Sequence, residues 1–160
     1  MKSETPRIIN NSPPLSMKSK WFKNHLPFTL SKYGMSLCTL GMAEEFKDKG
    51  IAVCSIWPQT TIATTTIKDH FLPEIYAGSR WPTIMADAVY ELSQKDAQEV
   101  NGRFFTDEEV LREAGISDFS SYAVDPSAPL VQDLFINDDY VDINTLMKPI
   151  LKSDYKVNAS

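Results

Sequence analysis

Glycine is scarce in this chain: only 6 of 160 residues, and no two lie close enough to build a glycine-rich nucleotide-binding turn. A cradle for a pyrophosphate, which needs such a turn ahead of a helix N-terminus, is therefore not among these residues. Histidine is rarer still. His25 and His70 have no companion ligands at metal spacing, which excludes a metal site of the common kinds. The two cysteines, Cys38 and Cys54, sit in apolar surroundings. They read as small core residues of a reducing compartment, and nothing supports a disulfide between them. No window approaches the ~20 apolar residues of a membrane span, and the start, Met1 to Arg7, holds no apolar stretch for a signal peptide. The end, Val157 to Ser160, is not a peroxisomal address, so cytoplasm is the expected compartment. A basic excess is also missing. The net charge is -5, and Lys18, Lys20 and Lys23 form only a loose, solvated cluster, so a nucleic-acid partner is not expected.

What remains is enough to fold. A hydrophobic fraction of 42% over 160 residues supports one domain with a sizeable core. Arg7-Ile8-Ile9-Asn10, stopped by Asn-Ser-Pro-Pro, reads as a buried strand. A loop follows at 13–26, with Trp21 and Phe22 turned inward. Pro27 opens a helix, since its missing N–H costs nothing there, and that helix runs to about Lys47, closed by Gly50. Leu30, Tyr33, Leu37 and Leu40 form one apolar stripe on it, and Phe28, Met35 and Met42 a second. A helix apolar on two sides is expected to be buried on two sides, against a sheet and a partner helix or within a monomer's core. Ile51 to Trp57 is a near-continuous apolar run, the pattern of a parallel strand covered on both faces. Strand, helix and strand make a right-handed βαβ unit. Pro58 ends the second strand, and the threonine-rich stretch 60–66 reads as a loop. A second helix is expected at 82–95 with Ile84, Ala88 and Leu92 on one stripe. A third strand follows at 102–106, then a short helix at 107–114 closed by Gly115. From 116 onward the Asp-, Ser- and Pro-rich chain reads as an extended tail wrapping the domain.

One spacing carries chemistry. Phe28 and Lys32 stand at i and i+4, hence on one helix face at about 5–6 Å between Cβ atoms, with Ser12 at the end of the preceding strand. A tyrosine at the first of those positions would be a poor base at neutral pH, with its pKa near 10, but a neighbouring ammonium favours the phenolate. With Phe28 in place there is no phenol to titrate. Tyr33 is no substitute, because one residue along a helix turns the side chain about 100° away.

The arrangement resembles the short-chain dehydrogenase/reductase superfamily, where a serine ends one strand and Tyr-x-x-x-Lys opens the next helix. Ser12-Pro13-Pro14, Trp21-Phe22, His25, the 29–36 run, Leu40 to Phe46 and Ile56-Trp57-Pro58 are similar as a set to the hydroxysteroid dehydrogenase-like protein 2 group, whose bacterial relatives are labelled citronellol/citronellal dehydrogenases. Met85 to Ala88, Gly102-x-Phe104 and the stretch from Ala114 to Pro126 extend it, so it covers residues 6 to about 138. It implies a C-terminal half of such a domain over 1–138, followed by a tail at 139–160.

The fold implied is α/β: a truncated Rossmann-like doubly wound sheet of about three parallel strands with flanking helices, its N-terminal nucleotide-binding half absent. The resemblance places Ser12, Phe28 and Lys32 at the catalytic serine, tyrosine and lysine. Lys32 would also touch the nicotinamide ribose, while Pro58, Ile62 and Thr64 would line the nicotinamide. The activity implied is NAD- or NADP-dependent alcohol/carbonyl oxidoreduction in the intact family, with no cofactor expected on this chain alone. Plainer readings stand beside these: Ser12 as a strand-end cap, Phe28 as a space-filling aromatic, Lys32 as an exposed helical lysine. Two alternatives also stand: a non-catalytic module pairing through helix 27–47 and the open strand with itself or a full-length relative, and one half of a split enzyme.

Overall fold

The computed structural model describes residues 6–136 and the backbone of 141–142. The expected boundary at 138 and the tail 139–160 lie outside them, apart from that backbone pair. Three parallel strands form the central sheet in the order β1-β2-β3: β1 Arg7–Asn11, β2 Ala52–Trp57 and β3 Phe104–Thr106. Every residue of β2 is buried, as expected of a central strand in a sheet covered on both faces.

Helix α1, Leu26–Glu45, joins β1 to β2. Pro27 lies in its first turn, and Gly50 ends the connection in the left-handed region at φ 68°. The chain then runs through α2 (Thr65–His70), α3 (Pro73–Ala77), α4 (Thr83–Gln94) and α5 (Ala97–Val100) before β3. The threonine-rich stretch is thus only partly loop: Thr64 caps α2, its hydroxyl accepting from the Ile67 N–H. Helix α6, Asp107–Glu113, opens with a capping box between Thr106 and Glu109.

Alternate residues of β2 enter two different cores. Ala52, Cys54 and Ile56 pack with Phe105 and with Ile84, Ala88 and Leu92, the stripe expected on α4. On the opposite face, Trp57 joins Tyr33, Trp21, Ile75 and the late residues Val131, Leu134, Phe135 and Ile136. The segment read as a wrapping tail therefore supplies a second core. Its backbone is woven in: Thr61 N–H donates to the Val131 carbonyl at 2.9 Å, and Val131 N–H to that of Gly78 at 2.9 Å. Any side chain at Gly78 would collide with the Pro129 carbonyl oxygen, so this close approach requires glycine.

Two further expectations are corrected. Of the first α1 stripe only Tyr33 is buried; Leu30, Leu37 and Leu40 are exposed, as are Phe28 and Met35. The helix is buried instead along Thr29, Tyr33, Ser36, Thr39 and Ala43, where the hydroxyls of Thr29 and Ser36 donate to the Trp21 and Pro13 carbonyls and that of Thr39 meets the Ser55 hydroxyl. Cys38 is exposed on that helix rather than buried, whereas Cys54 is buried. Both thiols are free.

Candidate active-site cleft

Parallel strands leave a crevice beyond their carboxyl ends, where side chains from several loops converge. Here a cleft of about 510 Å³ opens at the ends of β1 and β2. Phe28, Lys32, Pro58, Ile62 and Thr64 all line it, so five of the six residues singled out in the sequence share one space. Lys32 reaches back from the second turn of α1. Its Nζ donates to the Asn11 carbonyl at 3.2 Å and lies 5.1 Å from the centre of the Trp57 ring. Phe28, one turn earlier on the same face, stacks on Phe135 at 6.1 Å between centroids and 15° between planes. Phe135 itself holds φ 70°, an uncommon backbone for an aromatic residue, amid Trp21, Tyr33 and Trp57.

Ser12 lies apart from these five. It is fully buried, its hydroxyl 2.7 Å from the Ser55 hydroxyl, which is in turn 2.8 Å from that of Thr39. Asn10 Nδ2 donates to the Thr39 hydroxyl at 2.8 Å, completing a polar knot between β1, β2 and α1. Placed so, the Ser12 hydroxyl fastens the sheet to the helix, and Ser12 is not among the residues that line the cleft. The Tyr33 hydroxyl is also occupied: it donates to the Ser16 carbonyl at 2.8 Å, and burial raises its pKa.

The loop that follows β2 is held by two aspartates that sequence reasoning passed over. Asp107 Oδ1 accepts from the Gln59 N–H at 2.8 Å and from the Glu108 N–H at 2.7 Å. Burial pushes the Asp107 carboxyl up to about 6, with those two hydrogen bonds and Arg80 opposing the shift. Asp133 holds the other backbone group of the same residue, its N–H donating to the Gln59 carbonyl at 3.2 Å, and it is among the residues lining the cleft. Burial carries its carboxyl to about 7, with the Leu134 N–H and Lys32 working against the rise and Asp107 adding to it. Behind Asp107, Arg80 pairs with Glu108 at 2.6 Å with both side chains almost wholly buried, and Arg112 bonds the other Glu108 oxygen. Burial works to raise the Glu108 pKa, yet the two guanidinium groups hold it below the ordinary value. The signal for this segment was present in Val131-Gln132-Asp133-Leu134-Phe135-Ile136, where four of six residues are large and apolar, more than an extended wrapping tail needs.

The three-stranded parallel sheet with its flanking helices is the fold of short-chain dehydrogenases, the superfamily to which this chain is related. Within it, the sequence is similar to hydroxysteroid dehydrogenase-like protein 2. The zebrafish (Danio rerio) protein is 44% identical over 143 residues, covering 89% of this chain and 34% of the relative. The human protein is 44% identical over 137 residues, covering 86% and 32%. Among solved structures, a candidate dehydrogenase from Xanthomonas campestris superposes with a TM-score of 0.78 at 43% identity, over 86% of this chain and 50% of that one. A short-chain dehydrogenase from Mycobacterium thermoresistibile gives 0.74 at 37% identity, over 84% and 48%. No family model matches. The chain thus spans about a third of the length of its curated relatives and half that of the solved neighbours. Among the described residues no helix is long and apolar enough to cross a membrane, and no three metal-ligating side chains cluster.

Proposed function

We propose that this chain forms the substrate side of a short-chain dehydrogenase cleft that receives an alcohol or carbonyl compound and lacks the tyrosine-driven proton transfer of its relatives. The observation that carries this reading is the convergence of Phe28, Lys32, Pro58, Ile62 and Thr64 on one cavity, with a phenyl ring where the acid/base would stand. A phenyl ring fills space and stacks on Phe135, but it neither takes nor gives a proton. The donors present suit the nicotinamide riboside end of NAD or NADP: the Lys32 ammonium for ribose hydroxyls, and the 58–64 loop for the ring and its amide. When bound, that cofactor supplies or accepts hydride. This chain's residues would orient the ligand oxygen near Lys32 and shield it with Trp57 and Ile62. Residues 1–138 make up the dehydrogenase-like part in this reading, and the cytoplasm is its place.

Titrating the 160-residue protein with NADH and NADPH tests this by fluorescence and by turnover of simple alcohols and ketones. Neither saturable binding at micromolar cofactor nor turnover is expected, and Phe28→Tyr alone should leave turnover at zero. Turnover with Phe28 in place would overturn the reading.

A second reading has its own support. Leu26, Leu30, Leu37 and Leu40 stand 42–60% exposed along α1, a run of large apolar side chains of the kind that marks an interface. We infer that α1 pairs with α1 of a second copy, since a two-fold contact needs only one self-complementary stripe.

A further inference from the structure

Phe28 takes the phenol out of the cleft, yet a residue with a titratable carboxyl, Asp133, is still among those that line it. Asp133 stands in the wall contributed by the late segment, opposite α1. Its Oδ1 accepts from the Leu134 N–H at 2.6 Å, and its own N–H is tied to the Gln59 carbonyl, so the carboxyl group is fixed in place. Its Oδ2 has no hydrogen-bond partner among the described residues. The wall around it is largely apolar, with Ile62, Phe71, Met85 and Leu134. Two charged groups bear on it: the Lys32 ammonium from α1 and the Asp107 carboxyl from α6, the latter backed by the Arg80–Glu108 pair.

We propose that Asp133 is the proton-exchanging group of this cleft: charged, it accepts a hydrogen bond from the hydroxyl of an apolar alcohol, and neutral, it donates one to the oxygen of the matching ketone. This rests on the reading of the cavity as an alcohol/carbonyl site. Only a proton is shared between Oδ2 and the ligand oxygen. No bond to carbon changes, so no oxidant or reductant is required. A carboxyl poised at about 7 can supply either form near neutrality. Of the two groups that bear on it, Lys32 steadies the charged form and Asp107 the neutral one.

Menthol and menthone make a matched pair of probes, followed by tryptophan fluorescence because Trp57 lines the cleft. Between about pH 5 and about pH 9, menthone binding to the wild-type protein should weaken about fivefold, as the donated hydrogen bond is lost, while menthol binding strengthens by a similar factor, in line with the gain from a charged acceptor. In Asp133→Asn, whose amide both donates and accepts at every pH, both profiles should be flat. Asp133→Ser should be flat as well, and it serves should the amide disturb the Leu134 turn. Flat wild-type profiles with measurable binding would sink the role of Asp133 and leave the cleft reading standing. The same would follow if the slopes persisted in both variants, which would point to Asp107. Absence of binding by either probe at any pH would bring down both.

Discussion

Along β2 the side chains of Ala52, Cys54 and Ile56 enter an apolar layer under α4, whereas Ser55 and Trp57 face α1. The first face is glued by Ile84, Leu92, Val100, Phe105 and Leu111, each no more than 1% exposed. The second combines an aromatic cluster with a knot of hydroxyls from Ser12, Ser55 and Thr39. The contrast shows two ways to seat a helix on a sheet. Large apolar side chains exclude water by area. Small hydroxyl side chains let the backbones come close and satisfy one another, which frees the large residues of the same helix to point outward. The difference sets a ranking of what mutation should cost.

The largest effect belongs to the apolar layer. Leu92→Ala removes a fully buried side chain from a close-packed site and should cost about 2–5 kcal/mol, read as a shift in urea midpoint. Ser55→Ala should cost less, about 1–3 kcal/mol, because it strands the buried Ser12 hydroxyl while Thr39 keeps Asn10. Adding Ser12→Ala to Ser55→Ala should then cost little more or recover stability, since the stranded donor goes with it. If Ser55→Ala proved as costly as Leu92→Ala, the two faces would not differ in how they seat their helices.

This contrast also marks what was legible in the sequence. The strands and the α4 stripe follow from period and punctuation because there burial is apolar, and Pro27 and Gly50 mark the ends of the long helix whichever face it buries. The seating of α1 was not legible, because Thr29, Ser36 and Thr39 look like solvent residues until the Trp21 carbonyl, the Pro13 carbonyl and Ser55 meet them across the chain. Five cleft residues came from the motif. The bond of Ser12 to Ser55 was not legible, because a strand-end position fixes a residue's address but not what its hydroxyl meets. Asp133 was missed because it reaches the cleft only through long-range pairing of the late chain with the 58–61 loop.

A pH test probes the loop between the faces. The folded protein holds the Asp107 proton up to about 6, against an ordinary value of 3.8. The raised acid therefore favours the folded state below the ordinary value, and that contribution is lost as pH rises through about 6. Asp133 extends the loss through about 7. Asp107→Asn keeps an oxygen for the Gln59 and Glu108 N–H groups but nothing to ionise. Its stability relative to wild type should therefore rise from about pH 5 to about pH 7 in urea titrations. A constant difference across that range would show that Asp107 is already charged in the folded protein.

The smallest effect on folding should come from the outward side of α1. Leu37 is 59% exposed, so Leu37→Lys removes little buried area and should leave the urea midpoint within about 0.5 kcal/mol of wild type at a protein concentration where the chain is monomeric. Its consequence lies elsewhere. If two copies meet along this stripe, the introduced charges are brought together at the interface without partners. Sedimentation velocity should then show a wild-type dimer and a variant monomer. A monomer in both cases would leave the outward leucines as ordinary exposed residues and the hydroxyl knot as the whole account of why α1 turns them there.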